Sequence, residues 1–195
     1  AGPKLDGIIR MTNRSYKIDP NEIKEKFSLK ECHLLNDWES IAYGHAYLNQ
    51  KDCINLINKE VSSYNKNSLY FGPGTGLGVS ILLDDQIVIS SEYGNTNIGV
   101  EELIGEDLSK FHHFKSIEDT LSGKAISKIY EIKTRKNLSA EEIFSQAKND
   151  DLVAKEIIQD FIERLATILS DLTLSFLPGK GLSLIHISEP TRPLY

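Results

Sequence analysis

Cysteine is scarce in this chain. Cys32 and Cys53 are the whole complement of 195 residues, and they form neither a metal-ligand spacing nor a disulfide framework. That speaks against a disulfide-stapled scaffold and makes a reducing, cytoplasmic home the expectation. Excess positive charge is lacking too. The formal net charge is −6, so a nucleic-acid partner has no electrostatic support. No apolar run approaches the roughly 20 residues of a membrane-spanning helix, so no membrane partner is expected, and there is no secretory signal pattern. What is left is 40% hydrophobic and 26% charged residues, the balance of a soluble globular protein. The chain is long enough to bury a sizeable core, as one large domain or parts of two.

Against this ordinary background one stretch stands out: Phe71-Gly72-Pro73-Gly74-Thr75-Gly76-Leu77-Gly78. The β-prone run Ser68 to Phe71 feeds into it and the run Val79 to Leu83 leaves it, so the pattern reads strand, tight turn, strand. Four glycines in seven positions cost chain entropy and are kept where backbone turns with positive φ or lies against a ligand. Successive N–H groups in such a turn make a concave anion site, to which Thr75 adds a hydroxyl. Phosphate is the natural guest, and a glycine-rich hairpin without a ligand is the other reading. No Lys-Ser or Lys-Thr pair follows, so this is not a P-loop, and a strand rather than a helix comes next, unlike the dinucleotide fingerprint.

In chain order, residues 5–11 suggest a short strand or hairpin arm. Asp19-Pro20-Asn21-Glu22 opens a helix to about Phe27, with Asp19 as N-cap and Pro20 at the first helical position. Cys32 to Leu35 reads as a short buried strand ending at Asn36-Asp37, followed by a helix from about Trp38 to Leu48. Residues 49–67 read as a connection. Strands at 68–72, 77–83 and 86–91 form an antiparallel meander with a turn at Asp84-Asp85. Helices are expected at about 99–109, 117–133, 139–147 and 151–176, with Ser122-Gly123 interrupting the second. In the last, Val153, Ile157, Phe161, Leu165, Leu169 and Leu172 recur at helical spacing, widened by Ile158, Ile162, Ile168 and Phe176, and mark a core face. The end of the chain, Leu182 to Arg192 and then Pro193-Leu194-Tyr195, resembles a translated sequencing adapter. Residues 182–195 are therefore set aside as non-native.

Three carboxylates could carry chemistry. Asp37, in Asn36-Asp37 at the carboxyl end of a strand, could take a proton from a substrate hydroxyl; helix capping is the competing account. Glu92 precedes a Gly- and Asn-rich loop able to aim amides at a polyol. Glu118 starts a helix, where a carboxylate also suits the dipole. His112-His113 lacks the spacing of a metal site, so no metal ligands are expected.

Taken together these motifs resemble bacterial-type glucokinase, a sugar kinase of the actin-like ATPase superfamily, from Ala1 to about Gly181. Ala1-Gly2-Pro3 with Met11-Thr12-Asn13 is similar to the family's segment before the catalytic strand. Leu35-Asn36-Asp37 is similar to its aspartate motif, and Gly72 to Gly78 to its second phosphate loop, with Pro73 where alanine is usual. Ser91-Glu92-Tyr93-Gly94-Asn95 stands where the family has Glu-Gly-Gly-His. Ser116 to Gly123 is similar to its Glu-containing Leu-Ser-Gly segment. The resemblance implies an α/β, actin-like (ribonuclease H-like) two-lobed sugar kinase, incomplete, with part of the small lobe at 1–48 and most of the large lobe at 49–181. It implies ATP-dependent phosphorylation of glucose, with ATP carrying Mg²⁺.

By the same resemblance Asp37 is the base on the glucose 6-hydroxyl. Asn36, Glu92, Asn95 and Glu118 hold the sugar, and Gly72, Gly74, Thr75, Gly76 and Gly78 lie along the ATP phosphates. Asn95 and Tyr93 replace the family's histidine and a glycine, which leaves room for a related hexose or amino-sugar kinase. The rival of another class is a non-catalytic sugar sensor. The cysteine-rich zinc motif of the related repressor and open-reading-frame kinases is absent. The family's first phosphate loop would stand upstream of Ala1 and its Gly-Gly adenosine motif beyond Gly181, so the chain as it stands is expected not to phosphorylate glucose. A homodimer is compatible with the resemblance.

Overall fold

The chain opens with short strands because its first apolar residues come in short runs. In the computed structural model the residues described are 4–5, 7–10, 16–44, 47, 53–57, 64–97, 99–100, 103–104 and 114–185. Lys4–Leu5 (β1), Ile8–Arg10 (β2) and Lys17–Ile18 (β3) form a small antiparallel sheet in that order. The β1–β2 hairpin turns at Gly7, whose φ of 77° is open to glycine at little cost. Helix α1, Pro20–Lys26, starts as its sequence dictates: the Asp19 side chain accepts from the Asn21 amide at 3.0 Å, with Pro20 just inside.

No strand forms at Cys32 to Leu35, contrary to the sequence reading. Residues 31–36 are irregular, and Leu35 is 39% exposed. Four residues of apolar bias make a strand only where a neighbour supplies a hydrogen-bond ladder, and no described strand pairs with them. Helix α2, Asp37–Gly44, follows. Beyond Gly44 most of the expected helix to Leu48 lies outside the described residues, as do Ala1 to Pro3, Met11 to Asn13 and His112-His113.

The main sheet is the expected meander plus one strand more. Ser68–Pro73 (β4) pairs antiparallel with Leu77–Leu83 (β5) in the register Ser68↔Leu82 to Pro73↔Leu77, and β5 pairs with Ile87–Ser91 (β6). Asp84 and Asp85, with φ of 50° and 59°, are the central residues of a turn closed by the Gln86 amide on the Leu83 carbonyl at 2.9 Å, within the three-residue connection from Leu83 to its partner Ile87. The strand order is β6-β5-β4-β7, where β7 is Gly181–Leu184, parallel to β4. Ile185 continues the ladder, its amide donating to the Phe71 carbonyl at 2.9 Å. Residues 182–185, set aside in the sequence reading, thus take part in the sheet, and residues 186–195 lie outside the described part. The apolar run Leu182 to Ile185 satisfies the β4 edge, which would otherwise present a row of unpaired backbone groups.

β4 and β5 are buried on both faces, which is why they read as continuous apolar runs rather than as alternations. On one face α2 packs Trp38 and Ala42 against Tyr70 and Leu82. On the other, Leu69, Phe71, Val79 and Ile81 meet three helices: α3 (Gly123–Thr134), α4 (Ala140–Lys148) and α5 (Leu152–Phe176). The expected 117–133 helix is split. Ile117–Asp119 is a 3₁₀ turn, and Ser122 then caps α3 by accepting from the Ala125 amide at 3.2 Å. Val100, Leu103 and Ile104 are helical, and the rest of the expected 99–109 helix is outside the described residues apart from Gly99.

Helix α5 is the longest element, 25 residues. Its buried stripe is Ala154, Ile157, Phe161, Arg164, Ile168 and Leu172. Val153, Leu165 and Leu169 only flank it, and Ile162 is 50% exposed. Arg164 thus sits in the core line, 6% exposed, and its Nε has no hydrogen-bond partner. Burial pushes its pKa down, while Asp160 and Glu163 pull it up. Desolvating a guanidinium without full pairing is costly. Arg164→Met, which keeps the length and drops the charge, is expected to raise stability by about 1 kcal/mol or more in urea denaturation. A lower midpoint would show that the charge is well compensated.

Tyr70 gives a pH signature. Burial first, with a smaller push from Asp85 and against the hydroxyl of Ser68, raises its phenol to about 12 from an ordinary 10.0. The folded chain then holds this proton more tightly than the unfolded chain. The associated stability is complete below pH 10 and is lost as pH rises towards 12, by on the order of 2 kcal/mol. Tyr70→Phe should flatten that part of an alkaline denaturation profile.

Candidate functional site

The glycine turn sits where three elements press on one hairpin. From α2, the Trp38 indole lies over Gly78 and Gly72, so closely that a Cβ on Gly78 would coincide with the indole ring. A Cβ on Gly72 would meet the Ile185 carbonyl as well as Trp38. Next to the Ile117–Asp119 turn, a Cβ on Gly76 would come within 2.6 Å of the Glu118 carboxylate. Gly94, in the 3₁₀ turn Tyr93–Asn95, lies against the Leu77 carbonyl, 2.6 Å from where its Cβ would be, and against the Glu118 Cβ. Gly72, Gly76 and Gly78 do not take positive φ. Their missing side chains answer close approach, not a left-handed backbone.

The turn itself is pinned by backbone. The Gly74 amide donates to the Gly76 carbonyl at 2.8 Å, and the Gly74 carbonyl accepts from the Gly123 amide at 2.9 Å, which ties the turn to the start of α3. The Leu77 amide donates to Glu118 Oε2 at 3.4 Å, a long bond. The amides of Thr75 and Gly76 make no hydrogen bond among the described residues. Thr75 is exposed at the tip. Two N–H groups without a recorded partner among the described residues and a hydroxyl are the donor set that an anion needs.

Asn36 and Asp37 reach this turn through their neighbour. Asn36 is buried and caps α2: its Oδ1 accepts from the Glu39 amide at 2.5 Å, and Glu39 Oε2 accepts from the Asn36 amide at 2.8 Å. This is a reciprocal capping box with asparagine in the usual serine place. Asp37 is exposed, with Oδ1 accepting from the Trp38 amide at 3.1 Å. Because Trp38 is seated on the hairpin, Asp37 is fixed to the same unit. Glu92 and Asn95 pair with each other, Asn95 Nδ2 donating to Glu92 Oε2 at 2.9 Å. Their turn is joined to Glu118's turn through the Ile117 amide, which donates to the Thr96 carbonyl at 2.8 Å. The sequence-expected residues thus belong to one connected unit around the hairpin.

Two hollows border it. One, about 310 Å³, is lined by Thr75, Phe114, Glu118, Ser122, Lys124 and Lys128, among others. The other, about 510 Å³, lies behind Tyr93 and is lined by Arg164, Asp160, Thr167 and Asp171 among others. Burial, and secondarily Asp171, raises the Tyr93 phenol pKa. Among the described residues no three or more His, Cys, Asp or Glu side chains gather as metal ligands.

Sequence reasoning missed Trp38, Lys124 and Lys128. The signal for Trp38 was available, since it is the only tryptophan and it directly follows Asp37. Nothing in the pattern said that its ring needed two glycines to land on. Lys124 and Lys128 share a helix face at i and i+4, a spacing that usually marks a solvated stripe.

A family model described as glucokinase matches residues 1–185. A glucokinase from Campylobacter jejuni subsp. doylei is 30% identical over 191 residues, covering 90% of this chain and 57% of its own length. The crystal structure of a glucokinase from an Antarctic psychrotroph superposes with a TM-score of 0.77 at 27% identity, over 96% of this chain and 62% of that one. A glucokinase from Balamuthia mandrillaris, solved with glucose, gives a TM-score of 0.71 at 23% identity, over 95% and 61%, a likeness of fold. The chain spans roughly three-fifths of these relatives' lengths, and its fold is the mixed α/β, two-lobed sugar-kinase fold that they share.

The tryptophan contact can be tested directly. Gly78→Ala should destabilise the chain by about 1–3 kcal/mol, the usual range for overpacking. The double variant with Trp38→Ala should lose less than the sum of the two single changes, measured as a denaturant double-mutant cycle. Additive losses would show that ring and glycine are not in contact.

Proposed function

The chain belongs to the glucokinase family, and we propose that it is the part of an ATP-dependent glucose kinase that holds the sugar and the nucleotide phosphates. The observation that carries this reading is Glu118, whose carboxylate lies against Gly76 and the Leu77 amide. A group suited to polyol hydroxyls and a turn suited to phosphate share one wall. Phosphoryl transfer asks for that adjacency, because its catalysis is mainly alignment and charge stabilisation.

In this reading Asp37 accepts the proton of the glucose 6-hydroxyl as the oxygen attacks the terminal phosphate. Asn36, Glu92, Asn95 and Glu118 hold the other hydroxyls. The turn from Gly72 to Gly78 lies along the phosphates, with the Thr75 and Gly76 amides turned towards them. Magnesium riding on the nucleotide supplies charge neutralisation. Capping fits a sugar-contacting Asn36, because Oδ1 is committed to the helix while the amide nitrogen keeps two donors. Residues 1–48 are assigned to the small lobe and 49–181 to the large lobe, with α2 as the element where they meet. Leu182 to Ile185 then belong to the large-lobe sheet. The product, glucose 6-phosphate, places the activity at the entry of glycolysis, in the cytoplasm, where ATP and glucose are its partners.

Asn95 favours a second reading within the same chemistry, a kinase for a related hexose or an amino sugar, because an amide donates and accepts without titrating near neutrality. A sugar panel separates the two. In any preparation of the protein that phosphorylates glucose, Asp37→Asn should lower the turnover number by roughly a hundred- to ten-thousandfold while the KM for glucose changes little. An unchanged turnover number removes Asp37 from the reaction.

A further inference from the structure

The 310 Å³ hollow beside Thr75 has a wall that the kinase reading does not use. Lys124 lies in the first turn of α3 and Lys128 one turn later on the same face, and both line this hollow together with Thr75 at the tip of the glycine turn. The carboxylates that share it are already engaged. Asp119 accepts from the amides of Lys115 and Ser116 and from the Ser116 hydroxyl, all within 3.0 Å. Glu118 accepts from the Leu77 amide. Lys128 is paired with Glu131 at 2.9 Å. Lys124 has no carboxylate partner among the described residues.

Its position is electrostatically wrong for a structural lysine. A cation in the first turn of a helix opposes the macrodipole, and the first turn of α3 has no acidic residue to offset it. Ser122 Oγ is spent on the Ala125 amide, and the Gly123 amide on the Gly74 carbonyl. An anion resting on the Thr75 tip would therefore find Lys124 as the unengaged charge across the hollow, held in place because Gly123, the residue before it, is bonded to the turn.

We infer that Lys124 is a phosphate-gripping residue, closing on the polyphosphate tail of the nucleotide from the α3 side of the glycine turn, with Lys128 adding a second positive charge behind it. This deepens the kinase reading and rests on it. Lys124 is a positioning residue for the phosphate chain, and proton transfer is left to Asp37. Arginine would keep the charge at this position, and alanine would remove it.

The test is calorimetric titration of the chain with ATP and, separately, with inorganic tripolyphosphate, at two salt concentrations. Lys124→Ala is expected to weaken both ligands by roughly tenfold and to lower the salt dependence of binding, because one charge-assisted contact is lost. Lys124→Arg should recover most of the affinity. Lys128→Ala should have a smaller effect in the same direction. Thermal midpoints of all variants should stay close to that of the parent, because Lys124 and Lys128 are exposed. If Lys124→Ala binds both ligands as the parent does, the inference is wrong while the kinase reading stands. If the parent binds neither ligand, both are wrong.

Discussion

Absent atoms organise this molecule. Trp38 can lie against the hairpin only because Gly78 and Gly72 carry no Cβ, and the Glu118 carboxylate can lean on the turn only because Gly76 carries none. Each of these glycines gives up some chain entropy, on the order of 1 kcal/mol relative to alanine. In return the hairpin is clasped from both sides: by α2 on one, and by the turns at 93–95 and 117–119 on the other. A loop tip is normally among the most mobile parts of a chain. This one is bonded through Gly74 to Gly123, and the indole packs on Gly72 and Gly78 at either side of it, so its backbone is held in place. That rigidity is what an anion-binding turn requires, because donors that must be ordered on binding lose part of their worth.

The same clasp ties the proposed site to the core. Trp38 joins Tyr70 and Leu82 beneath α2, and Ile117, beside Glu118, joins the cluster under α3 to α5. A polar residue of the proposed site thus stands next to a buried one in the chain: Asp37 before Trp38, the half-buried Glu118 after Ile117, Asn95 after Gly94. Burial fixes the backbone of one residue, and its neighbour inherits the orientation. The hydrophobic core and the proposed site are in this sense one structure, since loosening the packing under α2 would displace Asp37 without touching it.

The sequence carried the hairpin, the meander and the long helix because each is encoded locally. Glycines bracketed by β-branched and aromatic residues, an Asp-Asp turn and an i, i+3, i+4 stripe need no distant partner to be recognised. The Asp19, Ser122 and Asp151 caps were equally local in origin. What escaped depended on partners far along the chain. Cys32 to Leu35 has strand composition but no ladder to join. Leu182 to Ile185 resembles an adapter, yet it is parallel to β4 across more than a hundred residues of sequence, and composition cannot report such a pairing. Arg164 occupies a core position that a periodic pattern would give to leucine, and only the packing of α5 reveals it. In the site, Asp37, Glu92, Asn95 and Glu118 could be picked out by type, but that they belong to one unit follows from Trp38, Gly94 and Ile117, whose contacts the sequence does not display.

One departure from the family pattern becomes intelligible in this light. Asn95 stands where a histidine is usual, and here its amide nitrogen donates to Glu92 Oε2. A histidine could make that bond with one ring nitrogen, but its charge would change across the neutral range and the bond to the carboxylate would change with it. The amide makes the same link without carrying a charge of its own that changes near neutrality, while its carbonyl oxygen remains an acceptor. The neighbouring Tyr93 replaces a glycine with a ring that is half-buried against the 510 Å³ hollow. Both changes add contacts to the turn that carries Glu92: one a side-chain hydrogen bond, the other a half-buried ring where the resemblance has a glycine. A turn held by more contacts would admit fewer orientations of the sugar hydroxyls that the proposed reading sets against it. In the proposed reading, selectivity between closely similar sugars, more than the phosphoryl transfer itself, is therefore the property that residues 92–95 would govern.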